Sequence, residues 1–274
     1  MTLLHLAAEE DTVKIIKFFL NSLKGHEKIL KSLVEATTNY YHKNYYYMNL
    51  TTALHLAAAG GYLDVVQCLV EHGADVNVKS NPYQSAFHWD SKWGVVTEKL
   101  KRINEMFVKH GKANVEAKDK YGQTVLHSAA QGNLDVVQWL VKHEKANVEA
   151  TDNDGRNVMH WASCGKTALH WAVCGNLYVV KWLVEHGKAD VEVKDDDGQT
   201  VLHLAAQGNK WDVVQWLVKY GKANVEAKDH WGRTVLYWAA QSNLNVFQWL
   251  VKHGADVNTK DVDDPLGLLS RFRR

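Results

Sequence analysis

Fifteen histidines and eleven tryptophans are the residues of this chain that invite a chemical reading. Imidazoles ligate metals and move protons near neutral pH, and Cys68, Cys164 and Cys174 add candidate thiol nucleophiles or ligands. A metal site needs ligands that converge on one point, and a nucleophile needs an activating base within reach. Cys164 and Cys174 each belong to a copy of Trp-Ala-x-Cys-Gly that also carries His160 or His170, so they read as buried or turn thiols. Gly165-Lys166-Thr167 imitates the end of a phosphate loop, but the glycine needed five residues earlier is His160 and no strand precedes it. Asp195-Asp196-Asp197 lacks the spaced oxygen ligands of a calcium loop and reads as a solvated tip. Neither a catalytic residue, a metal nor a cofactor is expected.

The histidines make sense as a ruler. A heptapeptide recurs as Thr2 to Ala8, Thr52 to Ala58, Thr124 to Ala130, Thr167 to Val173, Thr200 to Ala206 and Thr234 to Ala240, with degenerate copies at Ser85 to Ser91 and Asn157 to Ser163. Its His, or Tyr237 in the last copy, falls at 5, 55, 88, 127, 160, 170, 203 and 237, mostly 33 or 34 residues apart. A second apolar pattern follows each full copy, as in Leu134-Asp135-Val136-Val137-Gln138-Trp139-Leu140-Val141. A fixed period of this length denotes stacked supersecondary units, none of which has enough core to stand alone.

Each unit reads as two short antiparallel helices and a turn. Thr at the head is an N-cap whose hydroxyl accepts from the first free backbone N–H groups. The Ala-Ala pair lets helices approach closely, and Leu and Val carry the buried stripe. Gly73, Gly111, Gly187, Gly221 and Gly254 suit the left-handed position after the second helix. The stretches Asp119 to Gly122, Asp152 to Gly155, Asp195 to Gly198 and Asp229 to Gly232 carry the chemistry of hairpin-tip turns.

On these motifs the chain resembles the ankyrin repeat family, whose Thr-Pro-Leu-His-x-Ala pattern it repeats over nearly its whole length. The resemblance implies an all-α ankyrin-repeat solenoid of about seven helix-turn-helix units with β-hairpin or turn tips. The units run approximately 1–49, 50–82, 83–120, 121–153, 154–196, 197–230 and 231–263, and 264–274 is a partial repeat with a basic tail. Departures are visible. The family's Pro after Thr is Ala53, Val125, Ala168, Val201 or Val235, and Glu144 replaces a helix-ending Gly, which predicts a strained or remodelled helix end.

The repeats absorb the suspicious residues. His5, His55, His88, His127, His160, His170 and His203 hold the heptapeptide slot, and the resemblance makes them structural. His72, His110, His143, His186 and His253 end second helices, where imidazoles meet free carbonyls and the helix dipole. Trp139, Trp182, Trp216 and Trp249 share one slot, and Trp89, Trp161, Trp171 and Trp238 another, as packing ladders.

Composition bounds the rest. The 274 residues are 46% hydrophobic and 23% charged, with 32 Lys and Arg against 31 acids. Three of those bases, Arg271, Arg273 and Arg274, crowd the end, so no concentrated basic face for nucleic acid is expected. The start lacks a signal-peptide pattern, no apolar run would span a bilayer, and three cysteines form no disulfide framework. An intracellular protein, cytoplasmic or nuclear, is expected, without membrane insertion.

Function in repeat arrays concentrates on variable positions and insertions. Unit one is stretched by an amphipathic segment, Glu27 to Val34, which predicts an extra helix, and by Tyr40, Tyr41, Tyr45, Tyr46 and Tyr47, read as a capping loop or an aromatic partner patch. Unit three is degenerate, with a second helix predicted over 97–109. The resemblance implies a non-enzymatic, monomeric interaction scaffold holding an unidentified protein partner through hairpin tips and the inner-helix face. The matching positions are Lys120, Tyr121 and Gln123; Asn153, Asp154 and Arg156; Asp196, Asp197 and Gln199; His230, Trp231 and Arg233; with Gln131, Gln207 and Gln241 at first-helix ends. Tyr121 and Trp231 are the expected anchors. The alternative is a targeting arm of a larger enzyme or membrane protein. A third reading is asparaginyl hydroxylation, as of many ankyrin proteins, at Asn77 and Asn258.

In unit five, residues 156–165 echo 166–175, and the intervals of 33 leave room for one copy in the first-helix slot. Thr167 to Val173 has the better cap, so 156–165 is predicted to be an enlarged tip loop. Deleting that block should leave the thermal midpoint unchanged or higher, and a large drop would overturn the assignment.

Overall fold

The computed structural model describes residues 2–40, 48–80, 84–93, 98–130, 133–153 and 176–259. The duplicated block of unit five, most of the tyrosine-rich segment and the C-terminal tail lie outside them. Among the described residues there are fourteen helices and one two-stranded ribbon. The first pair is α1 (Leu3–Glu9) and α2 (Val13–Ser22), followed by α3 (Glu27–Val34), β1 (Thr38–Tyr40) and β2 (Met48–Thr51). Next come α4 (Ala53–Ala59) with α5 (Leu63–Glu71), α6 (Ala86–Trp93) with α7 (Glu98–Lys109), and α8 (Val125–Ala130) with α9 (Leu134–His143). The remainder are α10 (Leu177–Glu185), α11 (Val201–Gln207) with α12 (Trp211–Lys219), and α13 (Val235–Ser242) with α14 (Leu244–Lys252). The chain forms two compact units, Met1–Ala129 with Asp135–Ala146, and Ala130–Leu134 with Asn147–Arg274.

Within the first unit, α4 packs between α1 and α6, and α5 between α2 and α7. Flanked on both sides, α4 buries Ala53, Leu54, His55, Leu56, Ala57 and Ala58. The small Ala pair permits that approach, and each buried Leu stabilises by about 1.5–3 kcal/mol. Second helices are amphipathic: α5 buries Val65, Val66, Cys68 and Leu69 and exposes Asp64 and Glu71. In the second unit α11 packs on α13, and α10 on α12. The predicted extra helix is α3, and the predicted helix at 97–109 is α7. The chain between α3 and α4 holds an antiparallel ribbon, with Thr38 opposite Thr51 and Tyr40 opposite Met48, where the sequence suggested a capping loop.

The helix ends correct one expectation. Gly73 and Gly254 take the left-handed conformation, with φ of 85° and 99°. Gly111, Gly187 and Gly221 do not, because the extra Lys after each makes the turn instead: Lys112, Lys188 and Lys222 have φ of 54°, 55° and 57°. Glycine is needed there for close approach. A Cβ at Gly187 or Gly221 would meet the carbonyl oxygen of Leu183 or Leu217 at 2.8 Å. Glu144 remodels its helix end as expected. Its N–H donates to Leu140 O (3.2 Å), one turn back, whereas Gly187 N–H and Gly221 N–H reach five residues back to Trp182 O and Trp216 O.

The heptapeptide builds a relay between neighbouring units. In α1, α4 and α11, Thr2, Thr52 and Thr200 form reciprocal capping boxes in which His5, His55 and His203 stand where Glu or Gln more often does. Thr52 N–H and Thr52 Oγ1 both lie against His55 Nδ1, at 3.3 and 2.7 Å. His55 Nε2 lies 3.0 Å from Gln84 O, the carbonyl just before the next cap, Ser85. The same relay links His5 to Thr51 O (3.0 Å), His88 to Gln123 O (3.2 Å) and His203 to Arg233 O (3.3 Å). A backbone N–H can only donate and a carbonyl can only accept, so Nδ1 is the bare nitrogen and Nε2 carries the proton. Tyr237 at the same slot of α13 forms no such box.

Burial holds these imidazoles neutral, lowering His55 and His88 to about 4 and shifting His5 and His203 in the same direction. Unfolded histidine titrates near 6.5, so over the interval between about 4 and 6.5 the unfolded chain binds more protons. The relay's contribution is therefore complete above about pH 6.5 and lost progressively as pH falls toward 4. The urea midpoint should drop across that interval. At about pH 5.5 the ring nitrogen shifts of His55 and His88 should remain those of the neutral Nε2–H form. Imidazolium shifts in the folded protein at that pH would contradict the relay.

Candidate functional site

The tips are built by a buried aspartate. Asp119 Oδ1 accepts from Tyr121 N–H (2.8 Å) and Gln123 N–H (3.0 Å), and Asp119 N–H donates to Gln123 O (2.9 Å). Asp195 does the same for Asp197 and Gln199, and Asp229 for Trp231 and Arg233. Gly122, Gly198 and Gly232 take φ near 75° (77°, 75° and 77°), the conformation that closes each loop. The two residues between Asp and Gly then face outward. Among the described residues the tips are turns without strands.

This geometry sorts the residues expected to meet a partner. Lys120, Tyr121, Asn153, Asp196, Asp197, His230 and Trp231 are exposed, as are Gln207 and Gln241 at first-helix ends. Gln123 and Gln199 are buried and drop out of the surface. Their slot precedes the next cap, so it is consumed by contacts between units: Gln123 O receives the His88 relay bond, and Gln84 Nε2 in the same slot donates to Asp119 Oδ2 (3.0 Å). Gln131, Asp154 and Arg156 lie outside the described residues.

In the first unit Lys120 Nζ sits 4.6 Å from the Tyr121 ring centroid. In the second, two tips touch, His230 N–H donating to Asp197 O (3.0 Å). Gly198 makes room for that contact, since a Cβ there would fall 2.5 Å from His230 Cδ2. Arg233 lies half-buried beside them. Its Nε donates to Asp229 Oδ2 (2.8 Å), and its guanidinium carbon lies 4.2, 4.5 and 5.0 Å from the rings of Trp231, Trp238 and Tyr237. The sequence placed Trp231 and Arg233 on a tip but missed Tyr237 and Trp238. The available signal was the replacement of His by Tyr at the heptapeptide slot, which frees that corner from the relay.

Among the described residues the other groups with chemical potential have structural partners. Cys68 Sγ lies 3.9 Å from His72 Nδ1, yet the thiol is buried, its pKa is raised by that burial, and His72 Nδ1 sits 2.7 Å from Cys68 O. At other second-helix ends the imidazole stacks on the tryptophan one turn earlier, as in Trp182–His186 (5.6 Å) and Trp249–His253 (3.7 Å). Asn77 Oδ1 accepts from Asn114 N–H (3.0 Å), tying adjacent units, and Asn258 bonds to Asp256. Among the described residues no group of three or more His, Cys, Asp or Glu is placed to hold a metal ion. None of the described helices is long and apolar enough to cross a membrane.

The family profile of ankyrin repeats, three copies to a match, aligns with residues 1–80, 95–195 and 169–261, and the chain belongs to the ankyrin repeat family. It is similar to the solved ankyrin repeat domain of Bcl-3, described as a unique member of the IkappaB protein family. That likeness has a TM-score of 0.61 and 27% identity, covering 78% of this chain and 91% of the other. No curated protein sequence matches the chain.

Among the described residues one buried polar cluster has no counterpart in the other repeats. Asp90 occupies the slot held by Ala7, Ala57, Ala129, Ala205 and Ala239, and Asn104 the slot held by Val66, Val137, Val180 and Val214. Both side chains are fully buried. Neither carboxylate oxygen of Asp90, nor either amide atom of Asn104, has a hydrogen-bond partner, and the Ser91 and Ser128 hydroxyls are likewise unpaired. Burial pushes the Asp90 carboxyl well above the usual carboxylate range. Each unpaired buried polar group costs about 1–3 kcal/mol. Asp90→Ala and Asn104→Val, which restore the repeat, should each raise the thermal midpoint by about 2–6 °C. For Asp90→Ala the gain should be larger at pH 7 than at pH 4, because the raised pKa destabilises the fold only once pH exceeds the unfolded value near 3.9. A lowered midpoint in either variant would show that the polar cluster stabilises the array.

Proposed function

We propose that this protein–protein interaction domain holds its partner through the outward residues of its turn tips: in the first unit Tyr121 as anchor with Lys120, and in the second Trp231 as anchor with Asn153, Asp196, Asp197, His230 and Arg233. Gln207 and Gln241 extend the surface along the first-helix ends. Ankyrin repeats are a non-enzymatic interaction fold, and the seven-unit division is the frame of this reading. The observation that carries it is the division of labour within each tip. Asp119, Asp195 and Asp229 are buried and hold the loop backbone, while the adjoining side chains are exposed. Exposed aromatic rings on a fixed backbone lose little freedom on binding, which favours them as anchors.

A second reading, that the repeats form an arm of a larger assembly, has its own support. Leu3, Leu6, Ile15 and Phe18 are 54%, 45%, 48% and 76% exposed on the first helix pair. The same slots in the second pair, Ala53, Leu56, Val65 and Cys68, are at most 6% exposed. An apolar end face with the pattern of an internal joint favours further protein stacked against it.

Affinity capture from native extract tests the tips, comparing the intact chain with a variant carrying Tyr121→Ala, Trp231→Ala and Arg233→Ala. Matched thermal melts should establish that both are folded. A specific protein should be recovered by the intact chain and reduced about tenfold or more by the variant, the effect of losing one strong anchor. Equal recovery by the two would remove the tips from the interface.

A further inference from the structure

Among the described residues Arg233 is the one cation in a slot held elsewhere by Thr51, Gln84, Gln123 and Gln199. Gln84, Gln123 and Gln199 precede their caps and are buried among neighbouring units. Arg233 precedes Thr234, keeps its side chain 12% exposed, and sits at the edge of a tip whose Trp231 is 37% exposed. Its position is fixed from four directions. The backbone N–H and Nε both bond to the Asp229 carboxylate, at 2.9 and 2.8 Å. The carbonyl takes the His203 relay bond, and three aromatic rings surround the guanidinium carbon within 5.0 Å. Tyr237 and Trp238 stand edge to face, with centroids 5.3 Å apart. Among the described residues neither Nη nitrogen has a hydrogen-bond partner.

A guanidinium that uses only Nε has its terminal pair of nitrogens left, and that pair matches the two oxygens of one carboxylate. Stacking and the Asp229 bond have already ordered the side chain, so little rotamer freedom is lost when a partner arrives. Asp229 is engaged on the Nε side, which leaves the Nη side for a second acid. The indole of Trp231, 4.2 Å from the guanidinium carbon, supplies adjacent apolar surface.

We propose that Arg233 and Trp231 together receive an acidic segment of the partner protein, an Asp or Glu carboxylate seating on the Nη pair while its flanking backbone packs on the Trp231 ring. This inference rests on the reading of the tips as the binding surface and names the chemistry that one tip selects. Asp196 and Asp197 on the adjoining tip are exposed and disfavour a run of acids in that direction. The site therefore selects one well-placed carboxylate and rejects uniformly acidic chains.

Isothermal titration of the intact chain with a short synthetic peptide carrying a single Glu among Gly residues tests this, with the single-Gln peptide as its uncharged match. Arg233→Gln is the informative variant, because Gln is the residue the fold already accepts at 84, 123 and 199. Binding of the Glu peptide, absent for the Gln peptide, should weaken about tenfold or more in Arg233→Gln, as for loss of one charge-assisted bond. Arg233→Lys, which keeps the charge and loses the fork, should weaken it similarly. Lys252→Gln, an exposed charge of the same unit away from the tip, should leave it unchanged. Equal affinity in Arg233→Gln, an equal loss in Lys252→Gln, or no binding by the intact chain would overturn the proposal. If the capture variant still loses its partner while the Glu peptide fails, the acidic specificity is wrong and the tip surface stands. If both fail, the tip surface falls as well.

Discussion

The interaction on which the array depends is the neutral histidine bridging two caps. His5, His55, His88 and His203 each accept from the Thr or Ser that starts their own helix and donate to the carbonyl that precedes the next start, as His55 does between Thr52 and Gln84 O. One side chain thus satisfies orphan groups at a helix N-terminus and fixes the distance to the next unit. That dual role requires a bare Nδ1 and a protonated Nε2, and the low-dielectric interior between first helices enforces the neutral state. The packing of Leu and Ala around it, nearly complete in α4 and α11, both buries the ring and depends on its geometry. The abundance of histidine is a consequence of this arrangement repeated along the chain.

Much of this was legible in the sequence because a period of 33 residues multiplies every signal. The capped helix starts, the amphipathic second helices and the Asp-x-x-Gly tips were all readable from single positions seen several times over, and the extra helix at Glu27–Val34 from its own amphipathic pattern. The readings that failed concern contacts between units, where the sequence shows residue type without neighbours. Gln123 and Gln199 are polar and flank a tip, yet burial there is set by the adjacent unit's aspartate and relay histidine. The lysines after Gly111, Gly187 and Gly221 look like surface insertions. They carry the left-handed turn, while the preceding glycine lies so close to the carbonyl one turn back that a Cβ there would clash. The ribbon at Thr38–Thr51 had no repeat to amplify it, and the tyrosines that suggested an aromatic cover lie mostly outside the described residues.

Repetition also restricts where specificity can reside. A slot occupied by the same residue in every unit is committed to joining units. The tips escape this because Asp119, Asp195 and Asp229 fix the loop from below and turn two side chains outward. Those positions vary widely here: Lys120 and Tyr121, Asp196 and Asp197, His230 and Trp231. One tip is cationic and aromatic, one anionic, and one aromatic beside a guanidinium, so the tips differ in the chemistry they present.

Two departures from the repeat show how the fold treats polar substitution in an inter-unit slot. Asp90 places an ionisable group where the other described units hold Ala, and Arg233 one where they hold Thr51, Gln84, Gln123 and Gln199. Asp90 finds no partner, and its burial raises the free energy of that part of the array without presenting anything at the surface. Arg233 finds a carboxylate and three rings, which balance its desolvation, and keeps two nitrogens uncommitted at the edge of a tip. The His to Tyr change at position 237 belongs with it. The phenol ring forms part of the aromatic surround, and losing the last relay histidine costs least on a helix beyond which the described structure holds no further cap. A substitution so well accommodated, with donors left over, fits a role in recognition better than chance drift in a core slot, whereas Asp90 has the marks of the latter.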